Sequence, residues 1–214
     1  MEHAYPTLQS VLEDDAFPPA DTALRRGRHI DRDEADLYGF LCEAQALLEP
    51  FYRRFGMELV RLEDGYFYLL PVDPHVSRRR LTPGAMLAGQ ALALLYLDPS
   101  LVEQAGVIPR SRVLELLGNL VGEDRLLHAL NPRRRHRTDT AQQETIRREL
   151  DKGLRALEEM GFLDRLEDDA LRLRLPLLRF ADPVRTLADP AGALREMLSR
   201  GEIEVGDEEE DEDE

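Results

Sequence analysis

Apolar side chains recur at helical spacing over a long stretch in the first half of the chain. From Leu37 to Phe55 they fall three or four residues apart, which predicts one amphipathic helix over roughly residues 32–55. Asp31 and Glu34 have the spacing of a capping box, in which the side chains satisfy free backbone amides at a helix start. We therefore expect the helix to begin just after Asp31.

Upstream, the pattern predicts two shorter helices. The first covers Leu8–Leu12, and Pro18-Pro19 are expected to break the chain after it. Asp21 then caps a short helix that Gly27 stops, because glycine readily adopts the left-handed conformation that ends helices. Two helices joined by a tight glycine turn form a helix-turn-helix arrangement.

Two β-hairpins are predicted, and they share a repeated phrase. Arg61-Leu62-Glu63-Asp64 recurs as Arg165-Leu166-Glu167-Asp168, 104 residues later. Each copy follows a helix and leads into an apolar strand that ends at a proline. Helix, strand, acidic turn and strand is the ending of a winged-helix unit. The repeat therefore indicates two such units in tandem.

The first hairpin pairs Met57–Leu62 with Tyr66–Leu70 around an Asp-Gly turn. Its second strand is apolar or aromatic on both faces, whereas a strand wetted on one face alternates. We expect one face to meet the domain core and the other a partner or a second copy; half-exposed tyrosines are the alternative. The candidate interface residues are Tyr66, Phe67, Tyr68 and Leu69.

The second half of the chain predicts three longer helices, a hairpin and a short final helix. The helices begin near Pro83, Ser111 and Thr140, and the last of them ends at Met160. The first is apolar nearly all round and rich in small residues, which indicates burial and close backbone approach. The hairpin alternates: its inward residues are Leu171, Leu173 and Leu175, and its outward residues are Arg172 and Arg174.

Together these elements predict a mainly α protein with small β-hairpin wings, an α+β fold of tandem winged-helix domains. The expected divisions are an N-terminal winged-helix domain (1–76), a C-terminal winged-helix domain (77–181), a C-terminal helix (182–201) and a disordered acidic tail (202–214). The polar segment Pro71–Thr82, which contains Ser77-Arg78-Arg79-Arg80, marks the boundary between the first two.

The formal net charge is −15, but most of the excess negative charge lies in the last residues of the chain. Residues 202–214 hold ten acids and no base; without them 33 acids face 28 bases, a net charge of −5. A block of like charge repels itself and stays disordered. Two interpretations stay open: a solubilising tail, or a DNA mimic that competes for a basic surface on this protein or on a partner.

Cysteine usage and apolar stretches indicate a cytoplasmic protein that does not enter a membrane. Cys42 is the only cysteine, which excludes an intrachain disulfide and suits a reducing compartment. No basic-then-apolar signal segment opens the chain. The most apolar stretch, Ala85–Leu97, has 13 residues and is too short to span a bilayer.

Sequence signatures of catalysis are absent. The chain contains no GxxxxGK[ST] phosphate loop, no GxGxxG, no HExxH and no CxxC. None of its five histidines is paired with another at the i,i+4 spacing of metal ligands on a helix. We expect no enzymatic activity, no cofactor and no metal site.

Basic residues cluster in and just before the helix that ends at Met160. In a winged-helix fold this helix takes the recognition position, which can enter a major groove. Phosphate contacts need only charge and proximity, although acids on the same helix dilute its field. The candidate DNA-binding residues are Arg133, Arg134, Arg135, Arg137, Arg147, Arg148, Lys152, Arg155, Arg172 and Arg174.

One block resembles the signature near the start of the MukE family, the small accessory subunits of MukBEF-type bacterial condensins. It reads Asp21-Thr22-Ala23-Leu24-Arg25-Arg26-Gly27-Arg28-His29-Ile30. The similarity covers roughly residues 17–200 and includes Glu34–Phe40, Phe51-Tyr52, Gly65–Leu69, Leu94–Leu97 and Leu154–Phe162. One departure is Glu158-Glu159, where the family's recognition helix is rich in arginine. This shifts the expected DNA contact toward Arg133–Arg137 and Arg147-Arg148.

The resemblance implies a non-catalytic, tandem winged-helix homodimer in the cytoplasm, associated with the nucleoid. Such a subunit binds a MukF-like kleisin and, through it, a MukB-like SMC ATPase. It takes part in chromosome condensation and segregation, with weak, non-specific DNA contact. The related MksBEF accessory subunits, which act against plasmids, fit equally. A stand-alone winged-helix transcription regulator is the alternative, and the acidic body of the chain disfavours it.

Overall fold

The computed structural model describes residues 4–103, 105–130, 139–184 and 187–200. Over these residues the chain divides into two compact units. The first consists of the residues up to Arg80 together with Glu158–Asp164 and Leu173–Pro176; the second consists of the rest. The division lies near the predicted boundary at residue 76, but two short segments assigned by sequence to the second domain belong to the first unit. The predicted acidic tail, 202–214, lies outside the described residues.

The described part of the first unit combines helices with a three-stranded antiparallel sheet. Its elements are α1 (Leu8–Leu12), α2 (Phe17–Arg25), β1 (Ile30–Asp31), α3 (Ala35–Arg53), β2 (Met57–Leu62) and β3 (Tyr66–Pro71). The strand order is β1-β3-β2. The predicted long helix and first hairpin are confirmed, with Leu62 opposite Tyr66 at the turn. The strand β1 was not predicted, because two residues are too few to establish a period.

The core of the first unit is the apolar face of α3 packed on the hairpin. The periodic positions of α3 are buried, as its amphipathic pattern predicts. They pack against Leu59, Phe67 and Leu69 of the sheet. The buried positions of the helix are Phe40, Leu41, Ala44, Leu48 and Tyr52.

Two predictions about helix starts are wrong. Pro18 and Pro19 do not break the chain but lie in the first turn of α2, where a missing amide proton costs nothing and the fixed φ suits the helix. Asp21 therefore lies inside the helix and pairs with Arg25 at 2.8 Å. At the start of α3, Glu34 is the N-cap residue and makes no capping hydrogen bond through its side chain.

The rest of the described chain forms further helices and a second three-stranded sheet. In chain order the elements are α4 (Pro83–Tyr96), α5 (Ser100–Glu103), β4 (Val107–Pro109), α6 (Ser111–Val121), α7 (Glu123–Leu130), α8 (Asp139–Glu159), β5 (Leu163–Arg165), β6 (Ala170–Leu173), a 3₁₀ helix (Leu175–Val184) and α9 (Pro190–Arg200). The predicted helices near Pro83, Ser111 and Thr140 are confirmed. The elements α5, β4, α7 and the 3₁₀ helix were not predicted.

The two sheets share one topology. The order β4-β6-β5 repeats the order β1-β3-β2. In each sheet a short strand that lies between helices pairs with the second strand of the hairpin that follows the last of these helices. Over its described residues the chain is thus a mixed α and β protein in which helices predominate. Among those residues no helix is both long and apolar enough to cross a membrane.

Helix α4 lies at the centre of the second unit, and α8 approaches its backbone closely. Thr82 caps α4 by accepting a hydrogen bond from the Ala85 amide at 3.2 Å, with Pro83 in the first turn. A Cβ built on Gly153 of α8 would lie 2.7 Å from the carbonyl oxygen of Gly84. Because the atoms it would meet are backbone, neither helix can make room by a rotamer change.

Gly153→Ala is expected to lower the free energy of unfolding by about 1–3 kcal/mol, the usual cost of overpacking. The clash outweighs the roughly 1 kcal/mol that alanine gains over glycine in helix propensity. Gly118→Ala is the matched control, since a Cβ on Gly118 of α6 meets nothing within 4 Å. Urea denaturation followed by circular dichroism should show opposite signs for the two variants; equal effects would contradict the close approach.

Candidate nucleic-acid interface and a buried arginine cluster

The predicted DNA-binding residues of α8 lie on the exposed side of the helix. Its apolar stripe of Ile146, Leu150, Leu154 and Leu157 is buried in the second unit. The opposite face presents four exposed cations within about two turns: Arg147, Arg148, Lys152 and Arg155. The predicted bases Arg133, Arg134, Arg135 and Arg137 lie outside the described residues.

Acids on α8 offset part of this charge. Glu149 lies 3.5 Å from Arg148 and 3.0 Å from Lys152, so one carboxylate serves two cations. Asp151 is turned to Arg110 at 3.4 Å. Within the described part of the chain, Arg147 and Arg155 make no ion pair. Such exposed pairs are weak and exchange readily with other anions.

Arg110 connects α8 to the second hairpin within the second unit. Besides Asp151 it pairs with Asp169 at 3.2 Å, and its backbone amide donates to the Asp169 carbonyl at 2.9 Å. Arg172 is exposed on β6, opposite Val107 of β4. The predicted outward position of Arg172 is therefore confirmed. After Arg147, Arg148, Lys152 and Arg155 it is the fifth of the predicted DNA-binding bases that is exposed.

The predicted outward position of Arg174 is wrong. Its side chain is only 3% exposed and lies in the first unit, bound to Asp31, whose side chain is 2% exposed. Glu34 at 3.1 Å and Asp164 at 3.4 Å complete the cluster. The alternation of inward and outward side chains does not extend to Arg174, because β6 ends at Leu173. A side chain as buried as that of Arg174 cannot contact DNA.

The electrostatics of the cluster favour a charged Arg174. Burial disfavours the charged guanidinium, but the hydrogen bond and the negative charge of Asp31 outweigh it and raise the pKa of Arg174 above its ordinary value. Glu34 is shared with Arg28 at 3.3 Å, which extends the network toward the surface. Asp31 also accepts a hydrogen bond from the Asp33 amide at 3.0 Å, so it serves a turn rather than the predicted capping box.

The first hairpin is buried on one face by the core and is partly covered on the other by its own chain. Tyr66 and Phe67 are fully buried and Leu69 is 8% exposed. The face that carries Tyr66 and Tyr68 lies against His29, whose ring centroid is 6.0 Å and 5.2 Å from theirs. His29 thus covers part of this face, while Tyr68 is half-buried and Leu70 is exposed. That a partner or a second copy covers the rest stays a prediction.

His29 is a buried residue that the sequence pattern did not single out. Its ring packs on Phe162 at 4.4 Å, and its backbone amide donates to the Met160 carbonyl at 2.8 Å. A Cβ on Gly161 would collide with the His29 carbonyl, so glycine permits this approach. The histidine follows a glycine turn and has no periodic neighbours, so the only sequence signal was its place within the Arg-x-Gly-Arg-His-Ile block.

Taken together, the chain is a mixed α and β protein with paired helix-and-hairpin segments and a basic helix face. The model of the MukE-like family matches residues 6–214, nearly the whole chain. We conclude that the chain belongs to the MukE-like family.

Named relatives agree over most of their length. Chromosome partition protein MukE of Pasteurella multocida is 34% identical over 204 residues, which are 94% of this chain and 83% of that protein. The protein of the same name from Escherichia coli K12 is 32% identical over 198 residues, or 91% and 84% of the two chains. That of Mannheimia succiniciproducens is 32% identical over 212 residues, or 97% and 87%.

Arg174→Met is expected to lower the free energy of unfolding by about 3–5 kcal/mol, because it leaves the buried Asp31 carboxylate without its cation. Arg172→Met is the control: it removes the same charge two residues away from an exposed position and should cost less than about 0.5 kcal/mol. Chemical denaturation of the full chain measures both. Equal losses would mean that the buried pair contributes nothing specific.

Proposed function

We propose that this protein is a non-catalytic accessory subunit of a MukBEF-type bacterial SMC complex and acts in chromosome partition. The observation that carries the proposal is the family match over residues 6–214, together with relatives whose name is chromosome partition protein. In this role the subunit binds a kleisin and, through it, the SMC ATPase, and takes part in chromosome condensation. It works as a homodimer in the cytoplasm, at the nucleoid.

We further propose that the fold is a tandem pair of winged-helix domains. The equal strand order of the two sheets supports this, as does the placement in both halves of two helices, a short strand, further helix and a closing hairpin. In this arrangement α8 is the recognition helix of the second domain. Its exposed bases contact the phosphate backbone weakly and without sequence preference.

Kleisin binding is tested by co-expression with the kleisin encoded in the same genome. We expect the two proteins to elute together in size-exclusion chromatography, with a mass by light scattering that requires two copies of this chain. Addition of the SMC subunit should produce a larger complex only when the kleisin is present. A chain that elutes alone and monomeric in every mixture would contradict the proposal.

DNA contact by α8 is tested with the triple variant Arg148→Gln, Lys152→Gln, Arg155→Gln. Each lost phosphate contact should lower the slope of log K against log salt by about 0.9, so the triple variant should lose about 2–3. Fluorescence anisotropy with a duplex of arbitrary sequence measures this. The matched control removes three positive charges from scattered exposed sites: Arg32→Gln, Arg53→Gln, Arg195→Gln.

Two outcomes would contradict a non-specific contact through α8. An equal loss in the control variant would assign the effect to net charge alone. A single sequence bound at nanomolar concentration in a random library would point instead to a stand-alone transcription regulator.

A further inference from the structure

A groove on the first unit carries a second set of arginines, different from the exposed bases of α8. Its walls are the first turns of α2 and the loop that follows that helix, with Glu159 at one side; the lining residues are Pro18, Pro19, Thr22, Ala23, Arg26, Arg28 and Glu159. The guanidinium of Arg79 donates to the Arg26 carbonyl at 3.4 Å, which places Arg79 at the rim. Arg78 and Arg80 are its exposed neighbours in the chain. We call Arg26, Arg28 and Arg78–Arg80 the arginine groove.

The charges of the arginine groove are only partly neutralised. Arg79 pairs with Glu159 at 2.5 Å and Arg28 with Glu34 at 3.3 Å. Within the described part of the chain, Arg26, Arg78 and Arg80 are exposed and make no ion pair. Five guanidinium groups thus face two carboxylates.

One atom of the arginine groove lacks a partner. The Nε of Arg28 is buried and has no acceptor in the described structure, although Arg28 lines the groove. A buried donor without an acceptor is unfavourable. An anion oxygen bound in the groove would satisfy it once the Arg28 side chain turns toward the opening.

We propose that the arginine groove binds the phosphate backbone of duplex DNA, as a second contact beside the α8 face. This rests on the DNA contact of the proposed function and extends it to the first unit. Arginine suits the task because its planar fork bonds phosphate oxygens in pairs. The proposed contact is to phosphate oxygens, which carry no sequence information, so we expect binding to be independent of sequence.

The lining of the groove favours phosphate over an acidic peptide. Its apolar lining residues are Pro18, Pro19 and Ala23, and none of the described lining residues is aromatic. Peptide docking draws its affinity from buried anchors and pockets, which this lining does not supply. Binding to a backbone of phosphates needs only a row of cations.

The test is the full-length triple variant Arg26→Gln, Arg78→Gln, Arg80→Gln, which leaves both ion pairs of the groove intact. With a duplex of arbitrary sequence, the slope of log K against log salt should fall by about 2–3, and adding the α8 substitutions should lower it further. The Arg32, Arg53, Arg195 variant is the matched control. Circular dichroism verifies that each variant is folded.

The possible results distinguish failure of the arginine groove as a DNA contact from failure of the proposed function. If the groove variant binds like the unchanged chain, or only as weakly as the control variant, the arginine groove is not a DNA contact. If the unchanged chain does not bind duplex even at low salt, DNA contact fails altogether, while kleisin capture still tests the proposed function. If deletion of residues 202–214 makes the groove substitutions silent toward DNA, the groove serves the acidic tail and the proposal is overturned.

Discussion

The buried pair of Arg174 and Asp31 is the interaction on which the first unit depends most. It joins residues 143 positions apart in the chain, and neither side chain has more than marginal access to water. Removing either partner leaves the other charge unpaired in a low-dielectric interior, so breaking such a pair lowers the free energy of unfolding strongly. Beside it, His29 bonds the backbone of Met160 and stacks on Phe162. The N-terminal sheet is therefore completed by two short segments from the far end of the sequence.

Long periodic elements could be predicted from the sequence, whereas short and tertiary ones could not. Helix α3 and the first hairpin were found because their apolar spacing extends over many residues. The strands β1 and β4 have two and three residues, and only their pairing with β3 and β6 defines them. The prediction treated the prolines at the start of α2 as a break, but a proline in the first turn of a helix leaves no intrahelical hydrogen bond unmade.

The two basic surface sites differ in the same way in how far the sequence could predict them. The basic face of α8 followed from residue type and helical position, which local sequence provides. The arginine groove combines residues near position 26 with residues near position 79, and no periodic pattern connects them. For the first hairpin, the sequence indicated that both faces of β3 are covered, but the covering residue His29 could not be identified without the tertiary fold.

The long separation between Arg174 and Asp31 also constrains how the protein is made. A nascent chain that has just emerged through Arg80 holds the first hairpin but has neither Phe162 to cover His29 nor Arg174 to neutralise Asp31. Bacterial ribosomes add about 5–20 residues per second, so this aromatic face stays open during synthesis for on the order of ten seconds. During that interval the residues up to Arg80 expose an aromatic surface and an unpaired carboxylate that the completed chain buries, and the last third of the polypeptide supplies the residues that cover them.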